Sequence, residues 1–230
     1  MNTQNKTYRK TAIIVGILYI IGTLSGILSL VFSDLSRNAE NTLLQISANE
    51  NQIIIAALFV LTMGLALVMV PVMMYPILKK HNPVLALGYV IFRGALEGAT
   101  NILITISWLL LVPLSRAYVE FGAGDAALLE FFATTLFEGE EIGAMLNIVF
   151  SLGAAMFYTA LFQAKLVPRW LSGWGLLSLI SYFTAGLLGL FGVFGPLSST
   201  SVAMQLPLAL QEMVLAVWLI SKGFNSVPEN

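Results

Sequence analysis

Apolar residues fill six long stretches of this chain, and short polar segments separate each stretch from the next. The first stretch follows a basic N-terminal segment and contains no charged residue from Thr11 to Phe32. A helix needs about 20 consecutive apolar residues to cross the hydrocarbon core of a bilayer. The pattern therefore predicts six membrane-spanning helices, at about residues 11–33, 53–78, 83–112, 142–164, 171–195 and 202–221.

A secretory signal peptide is the alternative interpretation of the first stretch. Its apolar core would be only about 7–15 residues long and would end at a cleavage site of small residues. Here the stretch is longer and passes into Ser33-Asp-Leu-Ser-Arg37. We therefore expect an uncleaved first span.

The composition agrees with a membrane environment. Of the 230 residues, 58% are hydrophobic and 10% are charged, and the mean hydropathy is +0.87. Soluble domains carry about 25% charged residues, and a soluble protein of this length could not bury so much apolar surface. The predicted fold is therefore all-α, a polytopic transmembrane helix bundle of six spans. It forms a single domain over residues 1–230, with the lipid bilayer as its partner.

Residue content also excludes several kinds of site. The net charge of −1 gives no basis for nucleic-acid binding. The chain has no cysteine, which excludes disulfides and thiolate metal sites, and its single histidine, His81, excludes a site with two imidazoles. We expect no cofactor. An intramembrane enzyme is disfavoured, because only a carboxylate metal site or a serine nucleophile would remain.

The cations of the loops predict the direction of insertion, because cytoplasmic loops carry an excess of lysine and arginine. Eight cations fall on one side of the predicted spans, and only Arg37 and Arg116 fall on the other. The larger group consists of Lys6, Arg9, Lys10, Lys79, Lys80, Lys165, Arg169 and Lys222. Both termini are therefore expected in the cytoplasm, which requires an even number of spans.

Two outer loops are long enough to contain structure of their own. In residues 125–141, apolar side chains such as Leu128, Phe132 and Leu136 recur at helical spacing, and residues 38–51 also mix apolar with polar positions. We expect short amphipathic helices that lie on the outer surface. They would either cap the bundle or form a lid over an outward-facing cavity.

The third predicted span carries two charges, Arg93 and Glu97, in its middle. A charge near the centre of a bilayer costs at least about 2.5–3.5 kcal/mol, so other groups must hold both side chains there. The two residues are four positions apart and share one helix face. Tyr89 and Asn101 extend that face by one turn in each direction.

Glu212 places a third charge in the sixth predicted span. A helix rises about 1.5 Å per residue, which puts Arg93 and Glu212 both about 15 Å from the cytoplasmic side. This depth is near the middle of a hydrocarbon core of about 30 Å. We therefore expect helices three and six to pack together, with Arg93 between two carboxylates. Gln211 and Asn147 are further candidates for the same polar interior.

One cation between two acids leaves an excess of negative charge, so one glutamate is expected to carry a proton in the low dielectric of the membrane. A buried carboxyl that exchanges a proton suits a small transporter or ligand-binding membrane protein, in which Arg93 would also bind an anionic group. Such a function predicts a cavity that reaches the three charges. The alternative is a structural, accessory or sensing membrane protein, in which these charges only clamp helices three and six together.

Four segments of the chain resemble a known family. They are Lys10-x-Ala-x-Ile-x-Gly-Ile-Leu-Tyr-Ile-Ile-Gly22, Tyr89-Val-Ile-Phe-Arg93-x-x-x-Glu97, Leu166-Val-Pro-Arg-Trp-Leu-Ser-Gly-Trp174 and Leu210-Gln-Glu-Met-Val-Leu-Ala-Val-Trp-Leu-Ile-Ser-Lys-Gly-Phe224. Together they resemble the uncharacterised bacterial integral membrane proteins of domain of unknown function family 4386. The resemblance implies a multi-pass protein of the bacterial cytoplasmic membrane. It supplies no activity, ligand or catalytic residue.

Overall fold

The computed structural model describes residues 3–37, 41–121, 126–195 and 197–225, and the regular structure of these residues is helical throughout. The helices are α1 Thr3–Arg37, α2 Thr42–Ala48, α3 Glu50–Leu78, α4 Pro83–Tyr89, α5 Glu97–Phe121, α6 Ala126–Glu138, α7 Glu140–Ala164, α8 Arg169–Leu190 and α9 Ser199–Ser221, with a π-helical segment at Val90–Leu96.

Within the described residues, six candidate spans are long and apolar enough to cross a membrane. They are Tyr8–Asp34, Glu50–Leu78, Pro83–Glu120, Ala127–Ala164, Arg169–Leu190 and Ser199–Ser221. The all-α, six-span fold that the hydropathy pattern predicts is therefore confirmed.

Two of the spans are much longer than the pattern predicts. The third continues through Pro113 to Glu120, because a membrane helix tolerates proline where neighbouring groups satisfy the freed carbonyl. The fourth candidate span joins α6 to α7 across Gly139, which has a φ of +53°. Glycine adopts this left-handed conformation at little cost, so the chain turns here from one helix directly into the next.

Local sequence sets the start and the shape of the third span. The side chain of Asn82 caps α4 and accepts a hydrogen bond from the Leu85 amide at 3.1 Å, and Pro83 occupies the first turn. α4 then passes without a break into the π-helical segment, in which Arg93 lies. π-helical turns are rare and often occur at functional sites.

Each span packs against the next one along the chain, and the sixth packs against the first. The close pairs run from α1–α3 through α3–α5, α5–α7, α7–α8 and α8–α9 to α9–α1. This order arranges the spans in a ring, in which the third and sixth spans stand on opposite sides. The expectation that helices three and six pack directly together therefore needs a correction. Side chains join them across the centre of the ring, while the neighbours of α9 are α1 and α8.

At one end of the ring, the short helices α2 and α6 pack against the ends of α3 and α5 through an apolar core. Glu130 of α6 accepts hydrogen bonds from the backbone amides of Thr42 and Leu43 and thereby caps the N-terminus of α2. These helices occur where structured outer loops are predicted, although residues 38–40 and Asp125 of those loops lie outside the described residues. The position of α2 and α6 on an outer membrane surface stays a prediction.

The opposite end of the ring holds both described ends of the chain. Arg9 donates hydrogen bonds to the carbonyls of Leu219 and Ile220 at 3.1 and 2.7 Å, so its cation caps the C-terminus of α9. The backbone amide of Asn225 donates to the Leu166 carbonyl at 2.8 Å. Both ends therefore lie on one side, as an even number of spans requires. The cytoplasmic location of this side stays a prediction.

Closure of the ring depends on Gly16, where α1 meets α9. A Cβ atom at Gly16 would lie 2.6 Å from the Ala216 carbonyl oxygen and 2.6 Å from Cγ1 of Ile220. We expect Gly16→Ala to lower the free energy of unfolding by about 1–3 kcal/mol, the usual cost of overpacking. Reversible unfolding in mixed micelles measures this change.

Gly173 in α8 is the matched control, because a Cβ atom there would meet nothing within 4 Å. Gly173→Ala should leave stability unchanged or raise it by up to about 1 kcal/mol, since alanine favours the helix. Equal effects of the two substitutions would show that contact between α1 and α9 does not limit stability.

Candidate functional site

Arg93 lies in the centre of the ring, between the two carboxylates that the sequence assigns to it. Its Nε atom is 3.1 Å from Oε2 of Glu97, and its Nη2 atom is 3.6 Å from Oε1 of Glu212. The Arg93 and Glu97 side chains are 1% and 3% exposed, and the Glu212 side chain is 16% exposed. The structure thus brings the three predicted charges together.

Helix α7 shapes the space that the Arg93 side chain occupies. A Cβ atom at Gly153 would lie 2.6 Å from Cγ of Arg93 and 2.9 Å from its backbone nitrogen. The guanidinium carbon of Arg93 lies 4.2 Å from the centre of the Phe150 ring, which attracts the cation through its π electrons. The missing side chain at Gly153 therefore lets Arg93 lie flat against α7 with its charge over an aromatic face.

Several buried polar atoms of the third span and of α7 make no hydrogen bond within the part of the chain that the structure describes. They are Nη1 and Nη2 of Arg93, Oδ1 of Asn101, Oδ1 of Asn147 and Oγ of Ser151. All belong to the third span or to α7, which packs against it. A buried polar atom without a partner costs about 1–3 kcal/mol, and native proteins contain few of them. These atoms are concentrated on two facing helices, although Nε1 of Trp218 on α9 is a further described atom of this kind outside them.

The predicted amides differ in how well they are satisfied. The Gln211 side chain accepts a hydrogen bond from the Tyr158 hydroxyl at 2.6 Å and donates one to the Leu171 carbonyl at 3.0 Å. It therefore joins three helices and does not contribute its amide to Arg93. Asn147 donates to the Tyr182 carbonyl at 3.0 Å, but its Oδ1 atom makes no hydrogen bond to any described residue.

Phe150, Phe157 and Tyr182 complete the surroundings of the charges. The sequence-based prediction did not include these aromatic residues. The ring of Tyr89, which was predicted, stacks on Phe157 with centroids 4.5 Å apart, and the Phe150 ring lies 4.8 Å from that of Tyr182. Tyrosine is enriched at the ends of membrane helices. The position of Tyr182 near the middle of the fifth span was therefore a signal of a polar interior.

A cavity of 270 Å³ between α3 and α5 reaches Asn101, but none of the three charged residues lines it. A solute site at the triad predicts a cavity that reaches the three charges. This cavity does not reach them. Arg93 and Glu97 are almost fully enclosed by protein, whereas the Glu212 side chain is 16% exposed. In the described ranges, no three His, Cys, Asp or Glu side chains cluster so that they could hold a metal ion.

The three charges are expected to depend on each other for stability. Arg93→Leu would leave two acids in an apolar interior, and loss of one partner from a buried ion pair typically costs about 3–5 kcal/mol. The triple variant Arg93→Leu, Glu97→Gln, Glu212→Gln removes all three charges, so it should recover most of that loss. Unfolding of both variants in mixed micelles measures the difference, and equal losses would contradict an electrostatic role for the cluster.

Comparison with known proteins relates most of the chain to one family. The family described as "Domain of unknown function (DUF4386)" matches residues 14–223, a range that includes Arg93, Glu97 and Glu212. Searches of curated proteins and of solved structures return no match.

Proposed function

This chain belongs to the DUF4386 family, and we propose that it is a membrane protein that binds a small anionic solute at Arg93 and couples binding to uptake of a proton. Six apolar helices make it a multi-pass membrane protein. The observation that carries the proposal is that neither Nη atom of the buried Arg93 guanidinium makes a hydrogen bond to a described residue. We place the protein in the cytoplasmic membrane of a bacterium, with its cation-rich end in the cytoplasm.

The charge balance of the triad supports proton uptake. Arg93 neutralises one carboxylate, and a second ionised carboxylate would leave a net negative charge in a low-dielectric interior. Glu97 lies closer to the guanidinium than Glu212 does, and Glu212 is the more exposed of the two. Glu212 is therefore the carboxyl that we assign to proton exchange.

The guanidinium of Arg93 supports binding of an anion. Neither Nη atom makes a hydrogen bond to a described residue, and two adjacent N–H donors match the two oxygens of a carboxylate. An anion that binds there replaces the negative charge of Glu212 if Glu212 takes up a proton at the same time. The charge of the site then stays constant, which couples one anion to one proton.

A structural clamp is the second candidate function, and the burial of the triad favours it. Arg93 already contacts both glutamates and the Phe150 ring, and these contacts join opposite sides of the ring. A protein of this kind would need the charges for stability alone. It would show neither proton exchange nor anion binding at Arg93.

Infrared spectroscopy in lipid tests the protonated carboxyl. We expect a carboxylic-acid carbonyl band to appear at neutral pH when a carboxylate binds, and we expect Glu212→Gln to remove this band, because the amide has no acid proton. Glu120→Gln, at the exposed end of α5, is the control and should leave the band intact. Absence of the band from the wild-type protein with bound carboxylate would contradict proton uptake, and its loss in Glu97→Gln alone would assign the proton to Glu97.

Anion binding is tested by the thermal stability of the protein with small mono- and dicarboxylates, and with the matching amides as neutral controls. We expect carboxylates to raise the unfolding temperature of the wild type but not of Gly153→Ala, whose new methyl group displaces Arg93. Gly143→Ala is the control in the same helix, because its methyl group meets nothing within 4 Å. Equal stabilisation by amides and carboxylates would rule out recognition of the charge.

A further inference from the structure

The cavity between α3 and α5 is a groove that opens on the outer face of the ring, toward lipid. Its rim includes Leu65 and Ile102, which are 57% and 48% exposed, and the exposed alanines Ala95 and Ala99. Gly64, at the midpoint of α3, also lines it, so the groove lies near the middle of the bilayer. A molecule that enters the groove therefore comes from the hydrocarbon core.

The inner wall of this apolar groove contains a polar side chain. Asn101 is 2% exposed, and its Oδ1 atom makes no hydrogen bond in the described part of the chain. The amide nitrogen of Asn101 donates to the Glu97 carbonyl at 3.0 Å. A Cβ atom at Gly64 would lie 2.8 Å from Cβ of Asn101, so glycine is needed there. The wall of the groove thus contains a side chain with a buried hydrogen-bond acceptor that lacks a donor, one helical turn from Glu97.

We propose that this groove is the lateral entrance of the Arg93 site, and that the substrate is a membrane-dissolved monocarboxylic acid with an apolar chain. The neutral acid dissolves in hydrocarbon, whereas its carboxylate does not. Its hydroxyl is the donor that Oδ1 of Asn101 lacks, and its chain fits the apolar rim. This inference rests on the proposed function, because it names the class of anion that Arg93 binds.

Proton transfer links the groove to the triad. When the acid moves inward from Asn101, its O–H bond breaks and the proton passes to the carboxylate of Glu212. The new carboxylate of the substrate then pairs with the N–H groups of Arg93. No net charge crosses the hydrocarbon, since the substrate enters neutral and the proton stays in the site.

A second copy of the chain fits this groove less well than a small amphiphile does. Gly94 and Gly98 form the small-residue motif through which two membrane helices could associate closely. Here they already pack within the chain, because Cβ atoms at these positions would lie 3.6 Å from Cγ of Pro71 and 2.7 Å from Cγ2 of Val68. The motif therefore packs the third span against the second span, α3, within one chain.

Photolabelling of the protein in lipid tests the entrance. The probe is palmitic acid with a diazirine on its chain, and its methyl ester is the matched probe without a donor. We expect the acid to label the groove at Leu65 or Ile102, in competition with unlabelled palmitic acid, and the ester to label it about tenfold less, as loss of one buried hydrogen bond allows.

Substitutions separate the groove from other lipid-facing surface. Ala99→Phe fills the groove from an exposed position and should reduce labelling by the acid about tenfold, and Asn101→Leu should remove the preference for acid over ester. Ala203→Phe, at an exposed alanine of α9, should change neither. Equal labelling by acid and ester, or full labelling of Ala99→Phe, would overturn the proposal.

Two further results separate this inference from the proposed function. Because the chain contains no cysteine, Ala99→Cys places a single thiol in the groove. Efficient disulfide cross-linking of this thiol to a second copy of the chain would assign the groove to a dimer and overturn the lateral entrance. A protein that carboxylates stabilise and that shows the Glu212 proton band, but whose groove is not labelled, would overturn the lateral entrance and leave the proposed function intact. Groove labelling without the Glu212 proton would support the amphiphile site and contradict the coupled function.

Discussion

The burial of one guanidinium charge in the centre of a ring of apolar helices is the constraint on which the rest of this structure depends. Arg93 is 1% exposed, so water cannot solvate it, and its charge must be balanced by protein groups at the same depth. The carboxylate of Glu97 pairs with this charge from the same span, and the carboxylate of Glu212 pairs with it from the opposite span. Phe150 adds an aromatic face. The third and sixth spans are therefore held at one relative depth by their side chains, although their backbones are not neighbours.

Glycines of neighbouring helices make the room for these polar side chains. A methyl group at any of four glycines would come within 3 Å of a polar or tyrosine side chain of the interior. The pairs are Gly153 with Arg93, Gly64 with Asn101, Gly186 with Asn147, and Gly175 with Tyr158. Small residues in membrane helices usually allow two backbones to approach closely. Here they also shape the polar interior, so helix packing and the candidate site are determined by the same positions.

Two kinds of buried polar side chain occur in this bundle, and the difference bears on function. Gln211 is satisfied at both ends of its amide and joins α7, α8 and α9, which is how a side chain with a purely structural role is expected to look. Arg93, Asn101 and Asn147 each leave at least one buried atom without a hydrogen bond among the described residues. We base the proposal of a binding site at Arg93 on this contrast, since a clamp gains nothing from unsatisfied atoms.

Hydropathy and spacing alone determined the six spans, the pairing of Arg93 with Glu97 and the common depth of Glu212, because these depend only on helix length, rise and periodicity. Only the tertiary structure decided that the spans form a ring and that the third and sixth meet across it through side chains. It also decided that Gln211 turns to other partners although it adjoins Glu212, and that Tyr182 and Phe150 surround the charges. The rotation and order of helices depend on how side-chain volumes and glycines fit between neighbours, and no single apolar stretch contains that information.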